Sequence, residues 1–381
     1  MSQRTFEIGP IRPPSEAHSL LLRVTRGCTW NKCRFCNLYR RTQFRFYPVK
    51  ETKEAIDAIA AYKDRILSFR SVDNCLDHQR IIEDIGSYPP ELQNNYYMVY
   101  NWVAHGCESV FLQDGNTMAV KPEYLIEVLE YLRQMLPEIK RVTSYGRADS
   151  LAKIEEEQYI RLKNAGLDRI HSGFESGSDE VLAMINKGIT STEEINAGKR
   201  IMKSGIELSV YFMPGIGGEK LSFKNAAETA DVINAIDPSF VRLRTGVIKR
   251  GSELYEMAES GTFVPSTDIE KVKEIALLLE NIKDCRGTLL SDHIINLIPE
   301  VEGRLDKDRE RMLSIIYGFL SMPEQKIKRY QLAKRAGIIN GLSDFGSLGE
   351  VVLDQIDSLI ASVNNPADWE RLINRYLNSY I

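Results

Sequence analysis

Three cysteines that lie within nine residues are the part of the sequence best suited to carry out chemistry. Cys28, Cys33 and Cys36 follow the spacing C-x4-C-x2-C in the segment RGCTWNKCRFC. Three thiolates cannot complete a four-ligand structural zinc site by themselves. They can bind three irons of a [4Fe–4S] cluster and leave the fourth iron open to a small molecule. The alternative is a zinc site completed by a distant ligand, such as Cys75 or a histidine.

The other three cysteines are isolated along the chain. Cys75, Cys107 and Cys285 show no paired spacing, which indicates bystander thiols and a single cluster. The N-terminal residues contain no apolar stretch typical of a secretion signal. Thiols stay reduced in the cytosol, where a tight cysteine group binds a metal or takes part in catalysis. We therefore expect a cytoplasmic protein.

The composition is that of a globular protein with a large core. Of the 381 residues, 43% are hydrophobic and 27% are charged, which excludes global disorder. Apolar runs of about 18 residues, which a membrane helix needs, do not occur, so we expect no membrane contact. The net charge of −4 gives no whole-chain attraction for nucleic acid, and we do not expect nucleic acid as a partner.

Six short apolar runs alternate with helical patterns between residues 19 and 260. The run at 19–24 leads directly into the cysteine loop, and each later run ends at a turn or a change of pattern. Strands that alternate with helices predict an α/β fold with a parallel sheet. The other five runs are 109–113, 141–145, 168–172, 207–213 and 239–243.

The spacing of these patterns predicts three parts of the chain. Residues 1–18 are a proline-containing lead-in, and 19–260 form the βα series. Between Cys36 and the second strand the chain is long enough for a helical insertion, at about 50–106. Strand patterns stop near 260, so 261–381 is predicted to be an α-helical extension. Its helical patterns cover 268–282, 306–320, 324–335 and 367–379.

A three-cysteine loop after the first strand of a parallel βα series resembles the radical S-adenosylmethionine (radical SAM) superfamily. Phe35, before the third cysteine, matches the family pattern, and the first spacer is one residue longer than the commonest one. The resemblance covers about residues 19–250 and implies a partial (β/α)6 TIM-like barrel. It implies a [4Fe–4S] cluster and SAM as cofactors, with the open iron chelated by the methionine part of SAM. It further implies that reductive cleavage of SAM yields a 5′-deoxyadenosyl radical, which abstracts hydrogen from a substrate.

The same resemblance implies roles for turns that follow later strands. Asp114, Gly115 and Asn116 correspond to the turn that meets the SAM amine, and Glu175 is placed to accept hydrogen bonds from the ribose. The turn of Met213 and Gly215 lies near the adenine and the substrate. Carboxylates of SAM or of the substrate are expected to meet the arginines Arg147, Arg242 and Arg244.

Other assignments stay open at this point. The segment 173–182 resembles the barrel subgroup shared by anaerobic coproporphyrinogen oxidases, methylthiotransferases and cobalamin-linked radical SAM proteins. A porphyrinogen decarboxylase like coproporphyrinogen III oxidase is the alternative enzyme, although Leu38 stands where those enzymes have a fourth cysteine. The alternative of another class is a zinc-binding, non-enzymatic, RNA-binding module. The sequence does not identify the substrate or the catalytic residues, or whether SAM is consumed or regenerated.

A basic and aromatic stretch, YRRTQFRFY at 39–47, follows the cysteine loop. It could guide an anionic small-molecule substrate, or a flavodoxin or ferredoxin that donates the electron. A solvated charged surface explains the stretch equally well.

Overall fold

A computed structural model describes residues 5–378 of the chain. Residues 1–4 of the predicted lead-in and 379–381 of the predicted C-terminal extension lie outside the described residues. The chain divides into two compact units. The first comprises 1–31, 39–172 and 200–208, and the second comprises 32–38, 173–199 and 209–381. No helix among the described residues is both long enough and apolar enough to cross a lipid bilayer.

Ten strands occur in the described part of the chain. They are β1 (Leu20–Arg23), β2 (Thr25–Arg26), β3 (Arg45–Phe46), β4 (Ser109–Gln113), β5 (Arg141–Tyr145), β6 (Arg169–Glu175), β7 (Glu207–Phe212), β8 (Phe240–Leu243), β9 (Thr288–Leu290) and β10 (Gly303–Arg304).

Sixteen α-helices occur in the same residues. The first nine are α1 (Val49–Leu67), α2 (His78–Gly86), α3 (Pro90–Ala104), α4 (Pro122–Met135), α5 (Ala148–Leu151), α6 (Glu156–Asn164), α7 (Asp179–Met184), α8 (Ser191–Lys203) and α9 (Gly218–Ile236). The others are α10 (Glu253–Glu259), α11 (Asp268–Asn281), α12 (Arg309–Leu320), α13 (Glu324–Arg335), α14 (Leu342–Phe345), α15 (Glu350–Ala361) and α16 (Pro366–Asn378).

The central sheet is mostly parallel. Its strand order is β1-β4-β5-β6-β7-β8-β9-β10, and the β1–β4, β4–β5, β5–β6, β7–β8 and β8–β9 pairs run parallel. The six predicted strands are β1, β4, β5, β6, β7 and β8, each within three residues of its predicted bounds. This α/β architecture is that of a partial TIM-like barrel, and the predicted fold class is confirmed.

The sheet extends beyond the predicted barrel, which corrects one expectation. The region 261–381 was predicted to be helical throughout, yet β9 adds a strand parallel to β8, and β10 pairs antiparallel to β9. These strands are three and two residues long, too short for an apolar run to reveal them. The predicted domain boundaries themselves stay predictions.

In the first unit, the strands are buried because helices cover them. β4 is buried at four of its five positions, as is typical of a parallel strand covered on both faces. The predicted insertion contains α1, α2 and α3, whose buried side chains include Ile56, Ile59 and Trp102. β2 pairs antiparallel to β3, so the chain returns beside the start of the cysteine loop.

In the second unit, several buried apolar side chains form one cluster. It consists of Val181, Ile185, Ile216, Leu254 and Phe263. Helix α11 begins with a capping box, in which Thr267 and Glu270 exchange hydrogen bonds with each other's backbone N–H. This cap stabilises the first turn of α11, a helix that contains several buried polar residues.

Candidate active site

The first cysteine of the loop lies beside the turn that follows β4, within the first unit. The carboxylate of Asp114 is completely buried. It accepts hydrogen bonds from the guanidinium of Arg23 at 2.5 Å, from the backbone N–H of Gly27 at 3.2 Å and from the hydroxyl of Tyr39. Asp114 therefore contacts the chain just before Cys28 and again after the cysteine loop, at Tyr39.

The next two residues of this turn also contact the loop. A Cβ added to Gly115 would lie 2.8 Å from the Tyr39 ring, 3.0 Å from the Gly27 carbonyl oxygen and 3.3 Å from the Cys28 Cβ. Only glycine fits between these groups. The side-chain amide of Asn116 donates to the hydroxyl of Thr29 at 2.7 Å. The predicted turn thus lies against the cysteine loop.

The carboxylate of Asp114 is not free to bind an ammonium group. Its two oxygens already accept three hydrogen bonds from the protein. The backbone carbonyls of the turn are therefore the better candidates to meet the SAM amine. Tyr39, which the sequence did not single out, completes the arrangement, and burial together with the bond to Asp114 raises its pKa.

Arg147 lies after β5 in the same unit and is buried. Its backbone N–H donates to the side-chain oxygen of Asn116 at 3.0 Å, and its Nε donates to Asp149 at 3.0 Å. The guanidinium carbon lies 5.8 Å from the centroid of the Trp30 ring. Arg147 is therefore close to both the Asn116 turn and the cysteine loop.

The second half of the cysteine loop belongs to the second unit. The N–H of Cys36 donates to the carbonyl of Cys33 at 3.2 Å, which closes a turn around Phe35. The N–H of Arg34 donates to the carbonyl of Ile185, and its own carbonyl accepts from Leu254, both at 2.9 Å. Phe35 packs on the apolar cluster of this unit. These contacts anchor the segment that carries two of the three cysteines.

The donor chemistry of the loop fits an iron–sulfur cluster. Thiolates are the ligands that such clusters take, and Cys28 and Cys36 are half-buried while Cys33 is buried. Among residues 5–378, no three His, Cys, Asp or Glu side chains lie close enough together to hold a metal ion. Assignment of the three cysteines as ligands thus rests on donor chemistry and position, and it is a proposal.

The remaining cysteines have the properties of bystanders. Cys75 is exposed, whereas Cys107 and Cys285 are buried. Burial raises the pKa of Cys107 to about 11 and that of Cys285 to about 12. Both thiols therefore stay protonated near neutral pH and are poor ligands and nucleophiles.

Glu175 ends β6 as a buried, charge-compensated carboxylate. Its Oε1 accepts from the ammonium of Lys187 at 2.9 Å, and both side chains are at most 7% exposed. Its carbonyl accepts from the N–H of Met213 at 2.8 Å, which joins this strand end to the next turn. The Lys187 ammonium also lies 5.8 Å from the centroid of the Phe35 ring. The structure thus brings three predicted site residues, Glu175, Met213 and Phe35, into one neighbourhood.

The turn after β7 is held by a residue that the sequence did not identify. Gly215 has a φ of 83°, and a Cβ there would lie 2.6 Å from Lys271. The Gly215 N–H donates to Glu274 at 3.1 Å, and Ser222 donates to the same carboxylate at 2.7 Å. The amide of Asn225 donates to both Glu274 and the Met213 carbonyl.

Glu274 combines deep burial with a shifted acidity. Burial raises its pKa to about 7, against the opposing effect of the hydrogen bonds from Ser222, Gly215 and Asn225. Asp268, Lys271 and Glu274 recur every three residues along α11 and are all buried. That polar stripe on an otherwise apolar face is the signal that could have revealed Glu274.

The last two predicted arginines meet at the ends of β8 and β9, within the second unit. Arg242 and Arg244 both donate to the carboxylate of Asp292, Arg244 at 2.8 Å. The Arg244 guanidinium lies 4.7 Å from the centroid of the Tyr211 ring. Burial and the charge of Arg244 lower the pKa of the neighbouring His293 to about 4, so this imidazole is neutral near pH 7.

Comparisons with known proteins agree with this arrangement. A model of the radical SAM superfamily matches residues 22–230. The tRNA uridine(34) acetyltransferase of Methanocaldococcus infernus is 28% identical over 135 residues, which are 34% of this chain and 24% of that protein. The same named protein from Methanocaldococcus jannaschii also matches with 28% identity. The chain spans about a quarter of the length of these curated relatives.

Two solved structures can be compared with this chain. The archaeal Elp3 of M. infernus aligns over 53% of this chain and 52% of its own, with 19% identity and a TM-score of 0.41. The radical SAM methyltransferase TsrM of Kitasatospora setae, with cobalamin and a [4Fe–4S] cluster bound, covers 90% of this chain and 61% of its own. Its identity is 13% and its TM-score 0.45.

The family match decides between the classes considered from the sequence. It covers more than half of the chain, and the non-enzymatic zinc-module alternative is therefore wrong. The porphyrinogen-decarboxylase alternative gains no support from these relatives. The chain belongs to the radical SAM superfamily and is an enzyme whose cofactors are a [4Fe–4S] cluster and SAM.

Proposed function

We propose that Cys28, Cys33 and Cys36 bind a single [4Fe–4S] cluster and that the enzyme cleaves SAM to abstract hydrogen from a substrate. The observation that carries the proposal is the contact between the cysteine loop and the turn after β4, where a Cβ on Gly115 would lie 3.0 Å from the Gly27 carbonyl oxygen and 3.3 Å from the Cys28 Cβ. A turn that approaches a cysteine so closely suits a small cofactor bound next to that cysteine.

When bound, the cluster supplies the electron that breaks the sulfonium C–S bond of SAM. One electron from a flavodoxin or ferredoxin and one SAM give methionine and a 5′-deoxyadenosyl radical. The radical takes a hydrogen atom from the substrate and becomes 5′-deoxyadenosine, which leaves the unpaired electron on the substrate. The chain's own residues bind and orient SAM and exclude water.

Six of the predicted binding residues have specific tasks in this proposal. The backbone carbonyls around Gly115 face the SAM amine, with Asn116 holding the turn. Glu175 accepts from the ribose hydroxyls through the carboxylate that the Lys187 ammonium contacts. The backbone of Met213 and Gly215 approaches the adenine. Arg147, near the loop, is the candidate partner of the SAM carboxylate.

Anaerobic reconstitution with iron and sulfide tests the proposal. We expect equal amounts of iron and labile sulfide, and release of 5′-deoxyadenosine from SAM after addition of dithionite. Cys33→Ala should abolish both. Cys107→Ala is the matched control, because Cys33 and Cys107 are both 8% exposed, and it should retain both. Zinc without labile sulfide, or a cluster that survives replacement of all three loop cysteines, would disprove the assignment.

RNA is a second candidate substrate, beside a small molecule. The curated relatives are named tRNA-modifying enzymes, so the expectation that nucleic acid is not a partner has no support from them. Arg40 and Arg41 in the basic and aromatic stretch are exposed. Filter binding of the reconstituted enzyme to total tRNA separates the candidates. Binding that equal amounts of double-stranded DNA do not displace favours RNA, and no binding favours the small molecule.

A further inference from the structure

Two arginines and one aspartate meet at the carboxyl ends of neighbouring parallel strands in the second unit. Arg242 pairs in register with Tyr211 of β7 and with Leu290 of β9. Asp292 follows β9 by two residues and accepts hydrogen bonds from Arg242 and Arg244. In parallel α/β folds, ligands bind at the carboxyl ends of the strands.

Two buried guanidinium groups share one carboxylate in this cluster. The Arg242 and Arg244 side chains are 3% and 11% exposed, and both contact Asp292, which is 26% exposed. His293 is neutral near pH 7, because burial and the charge of Arg244 lower its pKa to about 4. The groups around Asp292 in this cluster are therefore mainly cationic.

Two buried nitrogens of the cluster also lack a hydrogen-bond partner. Within the described residues, these are Nη2 of Arg244, which is a donor, and Nδ1 of His293. A buried guanidinium nitrogen without a partner costs free energy in the folded protein. An oxyanion placed there would accept a hydrogen bond from Arg244 and would be attracted by both guanidinium groups.

The cluster lies beyond the residues that the superfamily model matches. That match ends at residue 230, whereas the arginines, Asp292 and His293 lie between 242 and 293. The turns proposed to bind SAM follow β4, β6 and β7, whereas Asp292 and His293 follow β9, which is beyond the six strands of the predicted barrel. This position favours the substrate over SAM as the ligand of the cluster.

We propose that Arg242 and Arg244 form a subsite for an anionic group of the substrate, a carboxylate or a phosphate. The inference rests on the proposed function for the identity of the enzyme, but it names the substrate class. Asp292 orients the two guanidinium groups while the subsite is empty. When an oxyanion binds, the Asp292 side chain moves partly away from the arginines, because it is the most exposed of the three side chains.

Titration of the full chain with inorganic phosphate and with malonate tests the subsite and separates the two oxyanions. We expect at least one of them to bind. Arg244→Gln should weaken binding at least about 10-fold, because it removes a charge-assisted hydrogen bond. Asp292→Asn should strengthen binding about 10-fold, because it removes a competing negative charge. Arg304→Gln, from the exposed Arg304–Asp306 pair, is the control and should change neither affinity.

Three results would overturn the subsite. They are no binding of either anion to the wild type, equal affinities of Arg244→Gln and Arg304→Gln, or loss of anion binding when SAM is saturating. The last result would assign the arginines to the SAM carboxylate. If Asp292→Asn does not fold, the wild type and Arg244→Gln decide. A reconstituted enzyme that fails to bind SAM contradicts the proposed function, while the anion titration still judges the subsite.

Discussion

Two arginine–carboxylate groups, one in each unit, differ in how completely their polar atoms are hydrogen-bonded. In the first unit, Arg23 is shared by two carboxylates, Asp114 and Glu7, at 2.5 and 2.6 Å. In the second unit, Asp292 is shared by two guanidinium groups. Both oxygens of Asp114 accept hydrogen bonds, whereas the Asp292 group retains a donor with no partner in the described residues. A satisfied network supports structure, and one with an unsatisfied buried donor is suited to a ligand.

The largest expected effect concerns the satisfied group. Asp114→Asn removes the charge that Arg23 and Tyr39 contact, and we expect a loss of about 3 kcal/mol in the free energy of unfolding, as for a broken buried ion pair. Urea denaturation measures it. Asp306→Asn, which breaks an exposed pair, should change stability little. Equal losses in both variants would show that the Asp114 group is not a structural support.

The glycine of the same turn tests the close approach to the loop. Gly115→Ala places a methyl group 2.8 Å from the Tyr39 ring and should cost about 2 kcal/mol, as for an overpacked core. It should also lower cluster incorporation, because Cys28 lies on the other side. Gly86→Ala, where a Cβ meets no atom within 4 Å, is the matched control. Normal iron content in Gly115→Ala would contradict the contact's role.

Phosphate should increase the free energy of unfolding of the two aspartate variants by different amounts. In Asp292→Asn, phosphate at ten times its dissociation constant should restore about 1.4 kcal/mol of unfolding free energy, by mass action. In Asp114→Asn, the same phosphate concentration should restore less, because that variant keeps the competing Asp292. Thermal denaturation with and without phosphate measures both. Equal restoration would remove the distinction between the two groups.

The smallest expected effect is the pH dependence of stability that a third buried carboxylate, Glu274, produces. Burial raises its pKa to about 7 from the ordinary 4.5, so the folded state binds more protons between these values. The free energy of unfolding therefore falls as the pH rises through this range. Between pH 6 and pH 8 the wild type should lose about 1 kcal/mol that Glu274→Gln does not lose. Glu280→Gln, an exposed position on α11, should keep the wild-type pH dependence.

The sequence predicted the fold where burial leaves a pattern. Parallel strands covered on both faces read as continuous apolar runs, so the strand at 109–113 was found with its bounds. The strand at Thr288–Leu290 was missed because three residues cannot show a period, and it is defined by its pairing with β8 and β10. The family resemblance rested on the cysteine loop and on the turns after later strands, and the match to residues 22–230 confirms it.

The site was predicted by residue type but not by partner. Asp114 was expected to face a ligand, yet Arg23 and Tyr39, from distant parts of the chain, engage its carboxylate. The pairing of β8 and β9 brings Asp292, which follows β9, to Arg242. A sequence shows which groups are charged, whereas tertiary contacts decide which charges are compensated.

We propose above all that Cys28, Cys33 and Cys36 leave one iron of the cluster open for SAM. Electron–nuclear double resonance of the reduced, reconstituted enzyme with SAM labelled with ¹⁵N at its amino group tests it most directly. We predict a hyperfine coupling between this nitrogen and the cluster, present in Cys107→Ala as in the wild type. A reduced cluster that shows no such coupling while SAM is bound would contradict the claim.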